Sequence, residues 1–448
     1  MAREIVIGTS HHFNWLNVGA AINHPDNGKG FDLSNDVNAQ TGLEDSWVRV
    51  LGSNGYGDAN LVRGLIEQEK PDAIFIFTDP RYWVWLFELE REIRNQIPIY
   101  YLNIWDDLPA PLYNKSYYES CDLLMAISKQ TKNINEIVLG ETAKDKIIKY
   151  VPHGINEKHF FPIREGHESF ELLKEFKSKM FEGKEIDFVV LFNSRNIRRK
   201  SPGDVILSYK LFCDMIGKEA SKKCALVMHT QAVDENGTDL YAVREALCDE
   251  NVNVYFSQDK LETPQMNLLY NIADVGLLIT SNEGWGLSLT ETMMSGRMII
   301  ANVTGGMQDQ MRFEHNGEWI NFTPDFPSNH RGTVKDCGDW AVPVFPSNIS
   351  LVGSVPTPYI FDDRCAPEDV AKALSDVYSL SKEERDAKGL LAREWVTSDE
   401  SGMSARQMCE NIIDAMNEAF ENFTPRPRYE ILKVTDRPKK RITHKLIY

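Results

Sequence analysis

Residues 274–306 read DVGLLITSNEGWGLSLTETMMSGRMIIANVTGG, and this stretch decides the fold. The run 274–280 is apolar and short, as a buried strand requires. Gly284 and Gly286 then break the pattern as a turn does. Residues 287–295 carry helical periodicity, and 298–303 return to an apolar strand. Strand, glycine turn, helix and strand make one βαβ unit of a parallel sheet. Such a turn leaves free backbone N–H groups at a helix N-terminus, which together form an anion site. Glu283 lies on the turn, and Glu291 lies about one helical turn inside the helix.

A phosphate held by those N–H groups would leave both carboxylates free to accept hydrogen bonds from hydroxyls on either side of it. Phosphate with hydroxyls on both sides describes a nucleotide sugar. The bland alternative makes Glu283 a solvated acid at a helix end and Glu291 an ordinary helical acid. These two residues alone leave both readings open, and the flanking sequence has to separate them.

Outward from this unit, strands and helices alternate along most of the chain. Residues 4–8, 47–51, 73–78, 97–104, 122–128 and 147–151 read as strands, with helices over 60–69, 83–96 and 129–139. The pattern restarts with strands at 187–193, 224–230, 252–256, 275–280 and 298–303. Helices at 202–216, 239–248 and 263–272 lie between them. Residues 152–184 are charged and mostly without strand signal, which places the interdomain linker there. Residues 321–364 are rich in Pro and Gly and read as either an ordered insertion or a lid. Helices follow at 367–380, 382–395 and 404–420. The expected class is α/β with two doubly wound, Rossmann-like domains facing across a cleft, the ligand lying at the carboxyl ends of the strands. A chain of 448 residues exceeds what one core usually serves.

Bulk composition excludes several classes. Formal charge is −17, which disfavours nucleic acid or acidic lipid over most of the surface. The tail from 425 to 448 is the exception, with eight Lys/Arg against two acids. The seven cysteines are scattered and form no CxxC pair. That fits reduced thiols rather than a disulfide frame or zinc site. No apolar run of membrane-spanning length occurs and the first residues carry no signal-peptide core, so a cytoplasmic protein is expected.

The segment 272–306 resembles the donor-site segment of retaining GT-B glycosyltransferases, in particular the large family 4 group. Two further stretches are similar to that family. One is NSRNIRRK at 193–200, where Arg195 and Lys200 match the spacing of the family's basic pair after the first strand of the second domain. The other is VPHGIN at 151–156, followed by Phe160 and Pro162, which looks like the hinge between domains. Its His153 reads as structural. In the first half the likeness thins. Gly19 is the nearest candidate for the family's glycine loop near the donor phosphate. After the strand at 97–104 the family often carries a His. This chain has Asp106 and Asp107 instead, which serve either as turn caps or as contacts to the acceptor or sugar.

The resemblance implies a transferase that moves a sugar from a UDP- or GDP-sugar to a hydroxyl with retention of configuration. It needs no cofactor and no metal. Glu291 is expected to bind the ribose hydroxyls. Glu283, with the backbone of Gly284, Trp285, Gly286 and Leu287 and with Thr290 nearby, is expected to hold the donor. Arg195 and Lys200 are expected to stabilise the leaving diphosphate, with Asp106 beside the reacting centre. The domain division implied is 1–165 for the acceptor, 185–400 for the donor, and 401–424 as a helix crossing back, before the basic tail. The acceptor is a saccharide or small molecule, with a hydroxymethylated DNA base, as in bacteriophage DNA glycosyltransferases, as the alternative. A non-catalytic sugar-binding protein is the third reading. Of the aromatic residues Tyr82, Trp83, Trp85, Trp105, Tyr113, Tyr117 and Tyr118, most read as core and a subset as stacking faces in the acceptor cleft. Oligomeric state leaves no mark on the sequence.

Overall fold

A computed structural model describes residues 1–21, 24–427 and 429. Most of the basic tail at 425–448 therefore lies outside the described residues.

The first half builds two sheets. Strands β1 (Trp15–Ala21), β2 (Gly30–Asp32) and β3 (Val48–Asn54) pair in the order β1-β3-β2, with β1 parallel and β2 antiparallel to β3. Strands β4 (Ile74–Phe77), β5 (Ile99–Asn103), β6 (Leu123–Ala126) and β7 (Ile147–Tyr150) form a parallel sheet in sequence order. Alternate residues of β5 enter different cores, as the two-residue period of a strand requires. Tyr100 and Leu102 join the large core that runs into the second half, while Ile99 and Tyr101 pack with Ile76 and Leu124 on the other face.

The second half contributes β8 (Phe188–Asn193), β9 (Cys224–His229), β10 (Val254–Ser257), β11 (Val275–Leu278) and β12 (Met298–Asn302). A two-residue pair, β13 (Glu314–His315) and β14 (Glu318–Trp319), follows before the edge strand β15 (Ala341–Val344). The sheet order is β10-β9-β8-β11-β12-β15, all parallel. Counted along the chain this is 3-2-1-4-5-6, the doubly wound order, and direction reverses between β8 and β11. Ligands of open parallel sheets bind outside the carboxyl ends at that reversal. Strands buried on both faces read as unbroken apolar runs, which is why FVVLFN and VGLL are so plain in the sequence.

Two expectations need correction, the strand at 4–8 and the single helix at 83–96. Residues 4–8 are not a strand but part of a helix, Ala2–Thr9. Five residues of mixed apolar character do not fix a period, and burial decides. Ile5, Val6 and Thr9 are buried, and Gly8 lies flush against Cys409 of the last helix, Ala405–Asn422. The first strand is β1, between the two strands expected at 4–8 and 47–51. The helix at 83–96 is divided into a 3₁₀ turn, Pro80–Trp83, and short helices Val84–Phe87 and Glu90–Ile93. The insertion at 321–364 is ordered. It supplies β15 and a hairpin of β16 (Asn348–Ser354) and β17 (Thr357–Arg364). The charged stretch 152–184 also holds a helix, Phe170–Met180.

The last helix packs on first-half residues: Phe420 meets Tyr100 and Phe13, and Glu418 pairs with Lys149. Its start is pinned to the hinge stretch, where Ile155 N–H donates to Met403 and Ala405 N–H to Ile155. Among the described residues no helix is long and apolar enough to cross a membrane.

Candidate active site

The loops that leave β8 and β11 meet at the sheet reversal and are stitched together by backbone. Ser281 N–H donates to the Arg199 carbonyl at 2.8 Å, and the Thr280 hydroxyl donates to the same oxygen at 3.0 Å. The Arg199 guanidinium donates in return to the Asn282 carbonyl at 2.6 Å. Gly286 starts the helix Leu287–Met294 at φ +88°, a conformation glycine adopts without strain. Gly306 lies so close to the Gly284 carbonyl that a side chain there would overlap it, and its N–H donates to the Glu283 carbonyl at 3.1 Å.

A cavity of about 770 Å³ opens over this junction, walled by both halves. Glu283 is largely buried there. Its carboxylate contacts the Lys200 ammonium directly and lies 3.6 Å from Arg199. Burial, and then the neighbouring Arg199, push the Lys200 ammonium down to about 7, while the Glu283 carboxylate in contact favours its charged form. Deeper in, burial pushes the Glu291 carboxyl up to about 7, opposed by a hydrogen bond from the Tyr270 hydroxyl. Tyr270 accepts in turn from Asn193 at 2.6 Å, so a chain of hydrogen bonds runs from the end of β8 to Glu291.

The first half faces these groups with acids. Burial pushes Asp106 up to about 6 and raises Asp107 well above the usual carboxylate range, against the fields of Arg199 and Lys200. Asp107 accepts from Asn282 at 2.7 Å, across the cleft. No following helix is capped by either side chain, since the next 3₁₀ turn has Pro111 at its start. His153 also lines the cavity, between Phe77 and Trp285. Its imidazole is pushed down to about 3 by burial and is neutral near pH 7.

Glu283, Glu291, Lys200, Asp106, Gly284, Trp285, Gly286 and Leu287 thus share one cavity. Three expected residues do not. Arg195 points outward, with most of its side chain in solvent, and pairs with Asp234 at 3.0 Å. Its place beside Lys200 is taken by Arg199, which sits in the same basic run at a spacing the motif did not select. Gly19 lies in the middle of β1, paired with Gly52, and not in a loop. Thr290 is buried behind the wall, where it accepts from the Trp285 indole at 2.9 Å and donates to Gln310. It therefore supports Trp285 and does not face the cavity. Arg199, Asn193, Tyr270 and the β16–β17 hairpin went unselected. The basic run was a signal for the first, while the other three are brought in only by tertiary packing. Among the described residues no group of three or more His, Cys, Asp or Glu is arranged to hold a metal ion.

No family model matches the chain, and no curated protein matches it in sequence. Solved structures do match in fold. A glycosyltransferase from Rickettsia africae ESF-5 superposes with a TM-score of 0.60 at 14% identity, covering 94% of this chain and 95% of that one. HepE from Anabaena, in complex with UDP and glucose, gives 0.59 at 11% identity, covering 93% and 94%. Sucrose-phosphate synthase from Thermosynechococcus elongatus gives 0.61 at 12% identity, covering 94% and 92%. The chain has the GT-B fold, with two Rossmann-like α/β domains. At these identities the likeness is one of fold.

Proposed function

We propose that the protein is a nucleotide-sugar-dependent glycosyltransferase that acts on a hydroxyl acceptor with retention of anomeric configuration. The observation that carries the reading is the Glu283–Lys200–Arg199 cluster at the sheet reversal, with Glu291 one helical turn behind it. Before donor arrives, Glu283 balances the two cations. A diphosphate entering at Lys200, Arg199 and the N–H groups of Gly284 to Leu287 would take over the cations and release Glu283 to the hydroxyls of the donor sugar. Glu291, held by Tyr270, is then placed for the ribose. Negative charge grows on the leaving diphosphate as the anomeric C–O bond breaks, and fixed cations stabilise that change most in the transition state. The acceptor oxygen bonds to the anomeric carbon on the face the diphosphate leaves, and its proton passes to the departing phosphate oxygen. Asp106 lies beside this centre as a hydrogen-bond partner for the acceptor or sugar.

HepE has been solved with UDP-glucose, and a trehalose-6-phosphate structure from E. coli with UDP-2-fluoro glucose; these support a UDP-sugar as the first donor to try. We place acceptor contacts in 1–165 and donor contacts in 185–400, with 401–424 returning to the first domain. The free cysteines suit a reducing, cytoplasmic setting. The test is release of nucleoside diphosphate from UDP-, GDP- and ADP-sugars, with calorimetry of the three nucleotides. One base should be bound and its sugar hydrolysed, and activity should survive excess EDTA. No binding and no release across the panel overturns the reading, and loss with EDTA restored by manganese overturns its metal independence.

A further inference from the structure

The β16–β17 hairpin leaves the second half and crosses to the first. On the near side, Asp363 N–H donates to Ser281 at 3.1 Å and Thr304 donates to the Asp363 carboxylate at 2.7 Å. On the far side, Phe361 N–H donates to Leu108, and the Tyr113 hydroxyl donates to the Tyr359 carbonyl at 3.0 Å. Ile360 and Phe361 pack against the first-half core around β4 and β5. The hairpin therefore bridges the cleft and walls one side of the cavity through Ser354, Thr357 and Asp362.

Opposite its corner stands the turn that leaves the carboxyl end of β4. Asp79 accepts from the backbone N–H of Arg81 at 2.9 Å and from its guanidinium at 2.6 Å. Arg81 reaches on to the Thr357 hydroxyl at 2.9 Å. The next residue, Tyr82, stacks on Tyr56 with ring centres 4.3 Å apart and planes 19° apart, and is 48% exposed. Trp105 and Tyr118, by contrast, are buried in the core. Tyr82 is thus a half-exposed ring stacked on Tyr56, close enough to act on Arg81, which with Asp79 lines the cavity.

Resting on the glycosyltransferase reading, we infer that the acceptor is a saccharide whose end unit enters between Asp79–Arg81 and the hairpin corner while the neighbouring unit stacks on Tyr82. A sugar ring offers a face of weakly positive C–H groups to the negative face of an aromatic ring, and an edge of hydroxyls to a carboxylate and guanidinium. The same wall suits duplex DNA poorly. Its cations are matched by acids, Arg81 by Asp79 and Arg364 by Asp362, so it offers no net charge to a phosphate backbone.

The experiment uses the full chain and the donor identified by hydrolysis. p-Nitrophenyl mono- and disaccharides form one acceptor panel, and a duplex containing 5-hydroxymethylcytosine forms the other. Wild type should glycosylate at least one disaccharide better than its monosaccharide. Tyr82→Ala should raise that acceptor's KM about tenfold and move donor KM less than twofold. Tyr82→Phe, which keeps the ring, should restore most of the loss. Donor hydrolysis without transfer to any glycoside overturns the inference, as does transfer to the duplex alone or an acceptor KM unchanged by Tyr82→Ala. Failure of wild type to bind or hydrolyse any donor removes the enzyme reading itself, a separate result.

Discussion

The two walls of the cavity are built differently. On the second-half wall Arg199 and Glu283 ride on backbone tied to other backbone, Arg199 to Ser281 and Glu283 to Gly306, and the Arg199 guanidinium donates to the Asn282 carbonyl. Its cations and Glu283 compensate one another within contact distance. On the first-half wall Asp106 and Asp107 are half-buried and, among the described residues, in contact with no cation; Asp106 feels Arg199 and Lys200, and Asp107 feels Arg199, only as fields. Cations and a carboxylate are therefore paired in contact on one side, while the acids on the other side lie at a distance from those cations. Cations held in place suit a leaving diphosphate, because no reorganisation is needed as the bond breaks. Changes to the first wall should instead appear as pH dependence and acceptor choice.

Lys200→Ala should disrupt the second-half wall most severely. It removes the buried ammonium that touches Glu283, and kcat for nucleotide-sugar hydrolysis should fall on the order of a hundred- to a thousandfold. Arg199→Ala should cost somewhat less, since this side chain is half exposed. A thermal melt beside each assay separates loss of chemistry from loss of fold. Near wild-type turnover in both variants would place the phosphate clamp elsewhere.

Glu291→Ala should weaken the nucleoside diphosphate by on the order of tenfold and raise donor KM more than it lowers kcat, because ribose contacts are much the same in ground and transition states. Calorimetry with the matching nucleoside diphosphate reads this directly. The same carboxyl carries a stability prediction. Its folded value, about 7, lies above the ordinary 4.5, so the folded state binds the proton more tightly than the unfolded state. Stability is then lost as pH rises from about 4.5 towards 7. Glu291→Gln should melt higher than wild type at pH 8, by on the order of 2 kcal/mol, and show little difference at pH 5. Equal gains at both pH values would show that the carboxyl is not desolvated.

On the first-half wall, burial pushes Asp106 up to about 6. Above that pH an ionised Asp106 accepts the hydrogen bond of an acceptor hydroxyl; below it the proton blocks that role. Transfer should therefore decline several-fold between pH 7 and pH 5, and Asp106→Asn should flatten that limb while lowering the plateau. A limb that survives in Asp106→Asn belongs to another group.

How far the sequence could be read differs between the halves for a physical reason. Strands β8, β9, β11 and β12 are buried on both faces, and their loops carry glycines and charges at positions the backbone demands, so pattern and placement coincide. In the first half the sheet is split. β1, WLNVGAA, is apolar apart from Asn17, but positions 15–20 are only half-buried or exposed, unlike the second-half strands. The opening helix owes its form to the groove of Ala405–Asn422, some 400 residues away in the chain, which no local window contains. The hairpin has an alternating β16, but what it touches depends on the closure of two domains. Tyr270 and Asn193 are ordinary residues until folding brings them to Glu291.

The smallest effect should come from Arg195→Ala. Arg195 and Arg199 lie four residues apart in one basic run, and spacing alone favours the first. In the folded chain Arg195 spends its charge on Asp234 at the surface, where an exposed pair contributes little, while Arg199 lies over Glu283. Arg195→Ala should leave kcat and donor KM within about twofold of wild type, with little change in stability. Asp234→Ala, which frees the Arg195 side chain, gives the converse check: if Arg195 can swing to the diphosphate, donor KM should drop in that variant and the gain should vanish in the double variant. A large kcat loss in Arg195→Ala alone would mean that donor binding pulls this side chain off Asp234 and into the cavity, making the spacing, not the unliganded geometry, the better guide to the phosphate clamp.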